Sequence, residues 1–208
     1  PDRVVYTDME TDARRRDFTV NAMFFDPVTG EIHDYVGGRV DLQKQCLRTV
    51  GDPLARFGED KLRNLRAIRI CVQLGFIMRA ELWEAVRSTQ AQILQVSRER
   101  VRDELMKMLL SPQPVRAIYL LATSGLMGTL WPELLAAFDL PSRWSRKGLT
   151  SGQHTKLVLS NSSNSAVNPQ LRLAAFLLPL YGVPKTSLRD WFTTNRFPRD
   201  DALFIQRA

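Results

Sequence analysis

Leu62, Leu65, Ile68 and Val72 recur at helical spacing, and this apolar stripe constrains the chain more than any other feature. A helix carrying one such stripe must bury it against neighbouring elements. Leu74 and Phe76 stand at its end, and the other side is charged, with Asp60 followed by Arg63, Arg66 and Arg69 at three-residue steps. At ~100° of turn per residue, each step winds the charged row by about 60°. A helix over residues 56–70 therefore places Asp60, Arg63 and Arg66 on one side. A carboxylate accepts hydrogen bonds and a guanidinium donates them in a planar fork, so together they can read an object bearing both kinds of group, such as a nucleobase edge. The same row also reads as a solvated helix face with an ion pair worth ~0.2–0.5 kcal/mol.

Upstream, Phe18, Val20, Ala22 and Phe24 alternate with Thr19, Asn21 and Met23, the period-two pattern of a strand. Asp26, Pro27 and Gly30 mark a turn, Glu31 to Tyr35 a returning strand, and Val36-Gly37-Gly38 a tight connection that draws on glycine's backbone freedom. The spacing predicts a β-hairpin. Arg16 and Asp17 stand at its mouth, where a guanidinium can grip a phosphate while the carboxylate accepts a hydroxyl or pairs locally. The run of three arginines, Arg14 to Arg16, also reads as a solvated basic patch.

Together these segments resemble the class II nucleotidyltransferases, the family of bacterial-type CCA-adding tRNA nucleotidyltransferases and bacterial poly(A) polymerases. Arg15-Arg16-Asp17-Phe18-Thr19-Val20-Asn21-Ala22 is similar to the family's RRDFTxNA motif. Asp34-Tyr35-Val36-Gly37-Gly38 with Asp41-Leu42 is similar to its DxxGGxxDL segment, and Glu59-Asp60-x-x-Arg63 to its nucleotide-template motif. Ser97-Arg98-Glu99-Arg100 with Glu104-Leu105 resembles the neck helix that follows. The resemblance runs over residues 10 to 135 and fades beyond.

The resemblance implies that Asp60 and Arg63 pair with the base edge, so that protein side chains select the incoming nucleotide. It implies that Arg16, Arg66 and Arg69 help hold the sugar and triphosphate, and that Asp34, Gly37 and Gly38 belong to a flexible hinge of the head. It further implies Mg²⁺, bound by a D-x-D pair after a Gly-rich element upstream of the RRDFT segment. Neither element stands in this chain; Asp8, Glu10 and Asp12 alternate, but no apolar strand or Gly-rich turn precedes them. The expectation is a fragment whose metal ligands lie outside the chain and which does not polymerise alone.

An excess of Lys plus Arg over Asp plus Glu gives a net charge of +7, which favours a polyanionic partner such as RNA. No run is long and apolar enough for a membrane span and no signal peptide opens the chain, so a cytoplasmic location is expected. Cys46 and Cys71 read as buried reduced thiols, and His33 and His154 are too isolated for a zinc site. Downstream, helices are predicted around Leu82–Leu94, after an N-cap at Ser97, over Val115–Thr123 and over Leu171–Tyr181. Arg98, Arg100, Arg102 and Lys107 are interleaved with Glu99, Asp103 and Glu104, which favours solvated ion pairs over primer contacts. From Pro141 the chain turns rich in Ser, Asn and Gly, predicting a partly mobile linker, with Arg143, Trp144, Arg146 and Lys147 as a weak RNA contact. Trp191, Phe192, Phe197 and Phe204 are expected to fill a helical core.

The fold expected is α+β and mostly α: the C-terminal part of a nucleotidyltransferase palm at 1–50, a helical neck binding nucleotide and RNA at 51–140, and a mobile linker with the start of a helical body at 141–208. The activity expected is template-independent nucleotide addition to an RNA 3′ end, with ATP, CTP and the tRNA 3′ end as partners. CCA addition is placed before poly(A) synthesis, and a noncatalytic RNA-binding module is the alternative from another class.

Overall fold

The computed structural model describes residues 8–144, 148–162, 168–182 and 185–201. It is an α+β chain, mostly helical. Helix α1 (Met9–Arg15) leads through a 3-10 turn at Thr19–Asn21 to a hairpin of β1 (Met23–Phe25) and β2 (Ile32–Asp34), then to α2 (Gly38–Gln43) and β3 (Cys46–Leu47). Helices α3 (Pro53–Glu59) and α4 (Arg63–Leu74) precede β4 (Ile77–Met78) and α5 (Ala80–Ser88). The rest is α6 (Arg98–Leu109), α7 (Pro114–Thr123), α8 (Leu126–Leu130), α9 (Pro132–Ala137), α10 (Ser151–Asn161), α11 (Pro169–Leu177) and α12 (Lys185–Thr194).

The hairpin is antiparallel, pairing Met23 with Asp34 and Phe25 with Ile32. Its turn forms as the sequence predicts: Asp26 Oδ1 accepts from Val28 N at 2.8 Å and Gly30 takes a left-handed φ of +73°. The predicted strand from Phe18 is shorter than expected, because Thr19–Asn21 coil into the 3-10 turn and extended pairing starts at Met23. Two contacts hold that turn: Thr19 N donates to Arg48 O at 3.0 Å, and Thr19 Oγ1 to Asp41 Oδ2 at 2.7 Å. Strands β3 and β4 pair in parallel across the α3–α4 excursion, which returns the chain beside its starting point.

Helix α4 sits at the centre. Leu62, Leu65, Ile68 and Val72 are all buried as predicted, joined by Ala67, Ile70 and Cys71, and they pack with Val101, Leu105 and Met108 of α6 and Ala117, Ile118 and Leu121 of α7. Leu74, expected at the end of the stripe, is instead exposed, while Phe76 is buried. Gly75 at φ +74° ends the helix, letting Phe76 N reach Cys71 O at 3.0 Å. Burial pushes the Cys71 thiol up to about 12, whereas Cys46 is only half-buried. Buried Asn64 donates to Thr89 Oγ1 at 3.1 Å, and at Thr89 the predicted Leu82–Leu94 helix breaks into α5 and a 3-10 stretch.

The linker expectation is corrected over α10. Thr150 and Gln153 form a reciprocal capping box, and Thr155 and Leu159 are fully buried, so this Ser- and Asn-rich stretch folds as a packed helix. Arg146, Lys147 and Phe204 lie outside the described residues; Trp144 is exposed. Trp191, Phe192 and Phe197 do form an aromatic core, and Trp131 joins them, its indole Nε1 donating to buried Asn195 at 2.7 Å. No helix of the described residues is long and apolar enough to cross a membrane.

Candidate functional site

Asp52 opens α3 as N-cap, its Oδ2 accepting from Ala55 N at 2.7 Å with Pro53 in the first turn. The continuous helix expected over residues 56–70 does not form. Asp60 leaves the helix with extended backbone (φ −144°, ψ 108°), and its Oδ1 accepts from Leu62 N at 3.0 Å. An Asp side chain that bonds the main chain two residues on offers the backbone an alternative to helix, which separates α3 from α4. Asp60 therefore lies in the elbow, ahead of the α4 row rather than on it.

The elbow carboxylate has a second partner. Arg100 Nη2, from α6, donates to Asp60 Oδ2 at 2.8 Å. Burial by itself would raise the Asp60 carboxyl, but the hydrogen bonds from Arg100 and Leu62 N, with the charges of Arg100 and Arg63, hold it below its ordinary value. Arg63 begins α4 and reaches back, its Nη1 donating to Arg56 O at 2.9 Å and to Glu59 Oε2 at 2.6 Å. These bonds leave Nε and Nη2 of its fork uncommitted among the described residues. Arg63 also holds the Glu59 carboxyl below its ordinary value.

The remaining arginines of the row diverge. Arg66 donates through Nε to Asp17 Oδ2 at 2.8 Å and through Nη2 to the same oxygen, joining α4 to the segment before the hairpin. Asp17 is buried, and its Oδ1 accepts from Phe18 N at 2.8 Å. Arg69 turns toward α6, where its Nε donates to Glu104 Oε2 at 2.6 Å; Lys107 also reaches that buried carboxylate, at 3.2 Å. Arg16 lies over the Phe24 ring, 4.8 Å from its centroid, and donates to Asp12 Oδ2 at 2.8 Å and Asn21 O at 2.8 Å. The fold thus gathers Asp60, Arg63 and Arg100 at the elbow, fastens the Arg66–Asp17 pair across to the head, and commits Arg69 to the α4–α6 interface.

Asp34, Gly37 and Gly38 form one fastening. Asp34 accepts four backbone N–H groups, Oδ1 from Val36, Gly37 and Gly38 at 3.1, 2.9 and 3.0 Å, and Oδ2 from Arg39 at 2.9 Å. Burial opposes its ionisation, yet these donors hold its carboxyl below the ordinary value. Gly37 takes φ +80°, and a Cβ on Gly38 would stand 2.3 Å from Thr19 O. Arg48 closes the other side, donating to Asp41 Oδ2 and Val36 O, both at 2.9 Å.

The acidic residues of α1 do not converge on a metal. Asp8 caps the helix through Thr11, Glu10 pairs with Arg14, and Asp12 pairs with Arg15 and Arg16. Among the described residues no group of three or more His, Cys, Asp or Glu side chains could hold an ion. Among the described residues, then, the α1 carboxylates are spent on the helix cap and on arginines and offer Mg²⁺ no cluster. Ser97 occupies the N-cap position of α6 without a side-chain cap bond. The solvated-pair reading of α6 holds for Arg102 with Asp103; Glu104 instead is buried and shared by Lys107 and Arg69, and Arg100 reaches out of the helix to Asp60.

Residues 1–48 match the family described as "Poly A polymerase head domain", and residues 75–138 the one described as "Probable RNA and SrmB-binding site of polymerase A". The CCA-adding enzyme of Lactobacillus gasseri is 37% identical over 207 residues, 97% of this chain and 48% of the relative. Poly(A) polymerase I of Haemophilus influenzae is 37% identical over 134 residues, 64% of this chain and 30% of the relative. The crystal structure of the Bacillus stearothermophilus CCA-adding enzyme in complex with CTP superposes with a TM-score of 0.60 at 28% identity, covering 97% of this chain and 54% of that one. The chain thus spans about half or less of the length of these curated relatives. The chain belongs to the family of bacterial-type tRNA nucleotidyltransferases and poly(A) polymerases.

Proposed function

We propose that this chain carries the base-selecting part of a cytoplasmic, template-independent RNA 3′-end nucleotidyltransferase, with CCA addition to tRNA from CTP and ATP as its reaction. The observation that carries the reading is the elbow at Asp60, where an ionised acceptor stands beside a partly uncommitted guanidinium. A carboxylate only accepts hydrogen bonds. Adenine and cytosine present an exocyclic amino donor on the edge where guanine and uracil present a carbonyl. Asp60 therefore favours ATP and CTP, and the free Nε and Nη2 of Arg63 would serve the ring acceptors beside that amino group. A base presenting a carbonyl to Asp60 leaves both partners unsatisfied, the arrangement that rejects a ligand most strongly.

Arg16 and Arg66 are assigned to the sugar and triphosphate. Arg66 keeps its place through Asp17, so the head segment and α4 form one wall. Arg69 would act at one remove, holding α4 on α6 and so Asp60 near Arg100. Asp34, Gly37 and Gly38 are assigned to a pivot of the head that turns as a fastened unit. Poly(A) synthesis is the second reading, favoured by the similarity to a poly(A) polymerase.

Calorimetric titration with ATP, CTP, GTP and UTP tests both. The chain is expected to prefer ATP and CTP, and Asp60→Ala to lose that preference by about 10- to 100-fold, the range of a hydrogen bond to a charged group at ~1.5–3 kcal/mol. Preference for ATP alone selects the poly(A) reading. Unchanged preference in the variant refutes base reading at Asp60.

A further inference from the structure

One arm of the Arg63 fork is already engaged. Its Nη1 gives one bond to Arg56 O at 2.9 Å and one to Glu59 Oε2 at 2.6 Å, so these two acceptors set where Nε and Nη2 stand. Arg56 controls both acceptors: the first is its own carbonyl, and it holds the second. Its Nη1 donates to Glu59 Oε1 at 3.0 Å and Oε2 at 3.1 Å, while Nε donates to Val50 O at 2.7 Å and Nη2 to Arg14 O. Arg14 lies in the last turn of α1, where helix carbonyls lack intrahelical partners, and Val50 N donates to Asp17 O at 3.1 Å. The Arg56 side chain is only 18% exposed and that of Glu59 50%. All three nitrogens of Arg56 are thus committed, and they join the head segment to the acceptors that aim Arg63.

We infer that Arg56, acting with Glu59, is a positioning residue for base selection: it acts on the base only through Arg63, by fixing the angle at which that guanidinium meets the base edge. The inference rests on the proposed reading of Arg63 as a base reader and extends it to two residues behind the site. A guanidinium is a rigid plane, so two bonds at Nη1 fix its orientation as well as its place. With the Glu59 bond gone, one bond remains at Nη1 and the plane can turn about it. Cytosine presents a ring acceptor where uracil presents a ring N–H. A fixed donor edge rejects the second, because two donors facing each other leave both unsatisfied; an edge that can swing aside does not. Discrimination therefore depends on the pin more than affinity does. The pin is also referred to the head: through Arg14 O and Val50 O, the aim of Arg63 is set by α1 and the segment before α3 as well as by α4.

Calorimetric titration of the chain with CTP and UTP tests the inference. Glu59→Ala should lower the ratio of CTP to UTP affinity about 5- to 10-fold, part of what outright loss of a hydrogen bond to a charged group removes. Glu59→Gln keeps an acceptor for Arg63 Nη1 and should stay within about twofold of the parent. Glu59 is half-exposed, and solvated pairs add little to stability, so the thermal midpoint should move by no more than about 2–4 °C. Arg56→Lys keeps the charge, but one nitrogen cannot span Val50, Arg14 and Glu59, and the ratio should fall as in Glu59→Ala; the Glu59 variants carry the test if this one does not fold. In an Arg63→Ala background, Glu59→Ala should change the ratio no further, because nothing is left to aim. A parental ratio in Glu59→Ala, where Arg63→Ala alone lowers it, overturns the inference and leaves the base reading standing. A further loss in the double variant also overturns it, since Glu59 would then act on the nucleotide without Arg63. A ratio that Arg63→Ala itself leaves unchanged refutes base reading at Arg63, and the inference with it.

Discussion

Replacing Asp17 by Asn tests how the head segment is held to α4. The change keeps the shape of the side chain and removes the charge that accepts Arg66 through Nε and Nη2 from a position 49 residues away. Asp17 is 8% exposed at its side chain and Arg66 34%, so the pair lies between the buried and solvated limits. Breaking a fully buried pair costs ~3–5 kcal/mol, an exposed one ~0–1 kcal/mol. The geometry places this pair between them, at about 2 kcal/mol. Asp17 Oδ1 also accepts from Phe18 N, and fully buried Phe18 bridges to Thr49, so the loss should be felt along the whole head-to-neck seam. The measurement is a double-mutant cycle of Asp17→Asn, Arg66→Met and the double variant, by urea denaturation. The coupling energy should be about 1–3 kcal/mol, the range for residues in direct contact. Additive single effects, or a loss below about 0.5 kcal/mol in Asp17→Asn, would refute the argument that this pair joins the two parts.

Two further outcomes follow from the Asp34 fastening. Gly38→Ala puts a Cβ 2.3 Å from the Thr19 carbonyl; it should cost about 2 kcal/mol, within the range for overpacking. That corresponds to a fall of about 4–8 °C in thermal midpoint for a chain of this size, and an unchanged midpoint would mean that α2 is not pressed on the 3-10 turn. Asp34 has a folded pKa below its ordinary 3.8, so its stabilisation is complete above that value and is lost as pH falls through the lower folded one. Asp34→Asn should therefore flatten the decline of stability measured below pH 3.8, and an identical decline in both proteins would remove Asp34 from the account.

The centre of the fold is legible in the sequence because its signal is local. The stripe from Leu62 to Val72 and the glycine at 75 specify a helix, its buried side and its end within a few residues of one another. The alternation from Phe18 reports burial only in part: Phe18 and Ala22 are fully buried, but so is Thr19 of the other set, while Val20 and Phe24 are half-buried, because the chain there coils into a 3-10 turn pinned by Asp41 and Arg48. The regular charge spacing from Asp60 hides a break, because Asp60 is the residue whose side chain competes with the helix ladder. Composition hid α10 in the same way: a Ser- and Asn-rich stretch reads as linker unless Thr150 and Gln153 are recognised as reciprocal caps. Partners such as Asp17 with Arg66, or Asp60 with Arg100, lie 49 and 40 residues apart and leave no periodic trace.

Those long-range partners bear on how selection at Asp60 would work. On the proposed reading, a nucleotide does not enter an empty polar site; it meets an acceptor already satisfied by Leu62 N and Arg100, and a guanidinium already bound to Glu59 and Arg56. Arg100 is 53% exposed at its side chain and Asp60 33%, so their pair is worth ~0–1 kcal/mol, little enough for a base amino group to share or replace. Because the exchange is nearly balanced, affinity gains little from it, whereas a base offering an acceptor loses the full hydrogen bond. Selectivity then exceeds affinity. Removing Arg100 separates two consequences: if the guanidinium only competes with the base, Arg100→Ala should tighten ATP and CTP by up to about fivefold, the equivalent of ~1 kcal/mol. If it orients the carboxylate, the same change should narrow the gap between ATP and UTP. A variant that alters neither titration would show that selection does not involve the α6 side of the elbow.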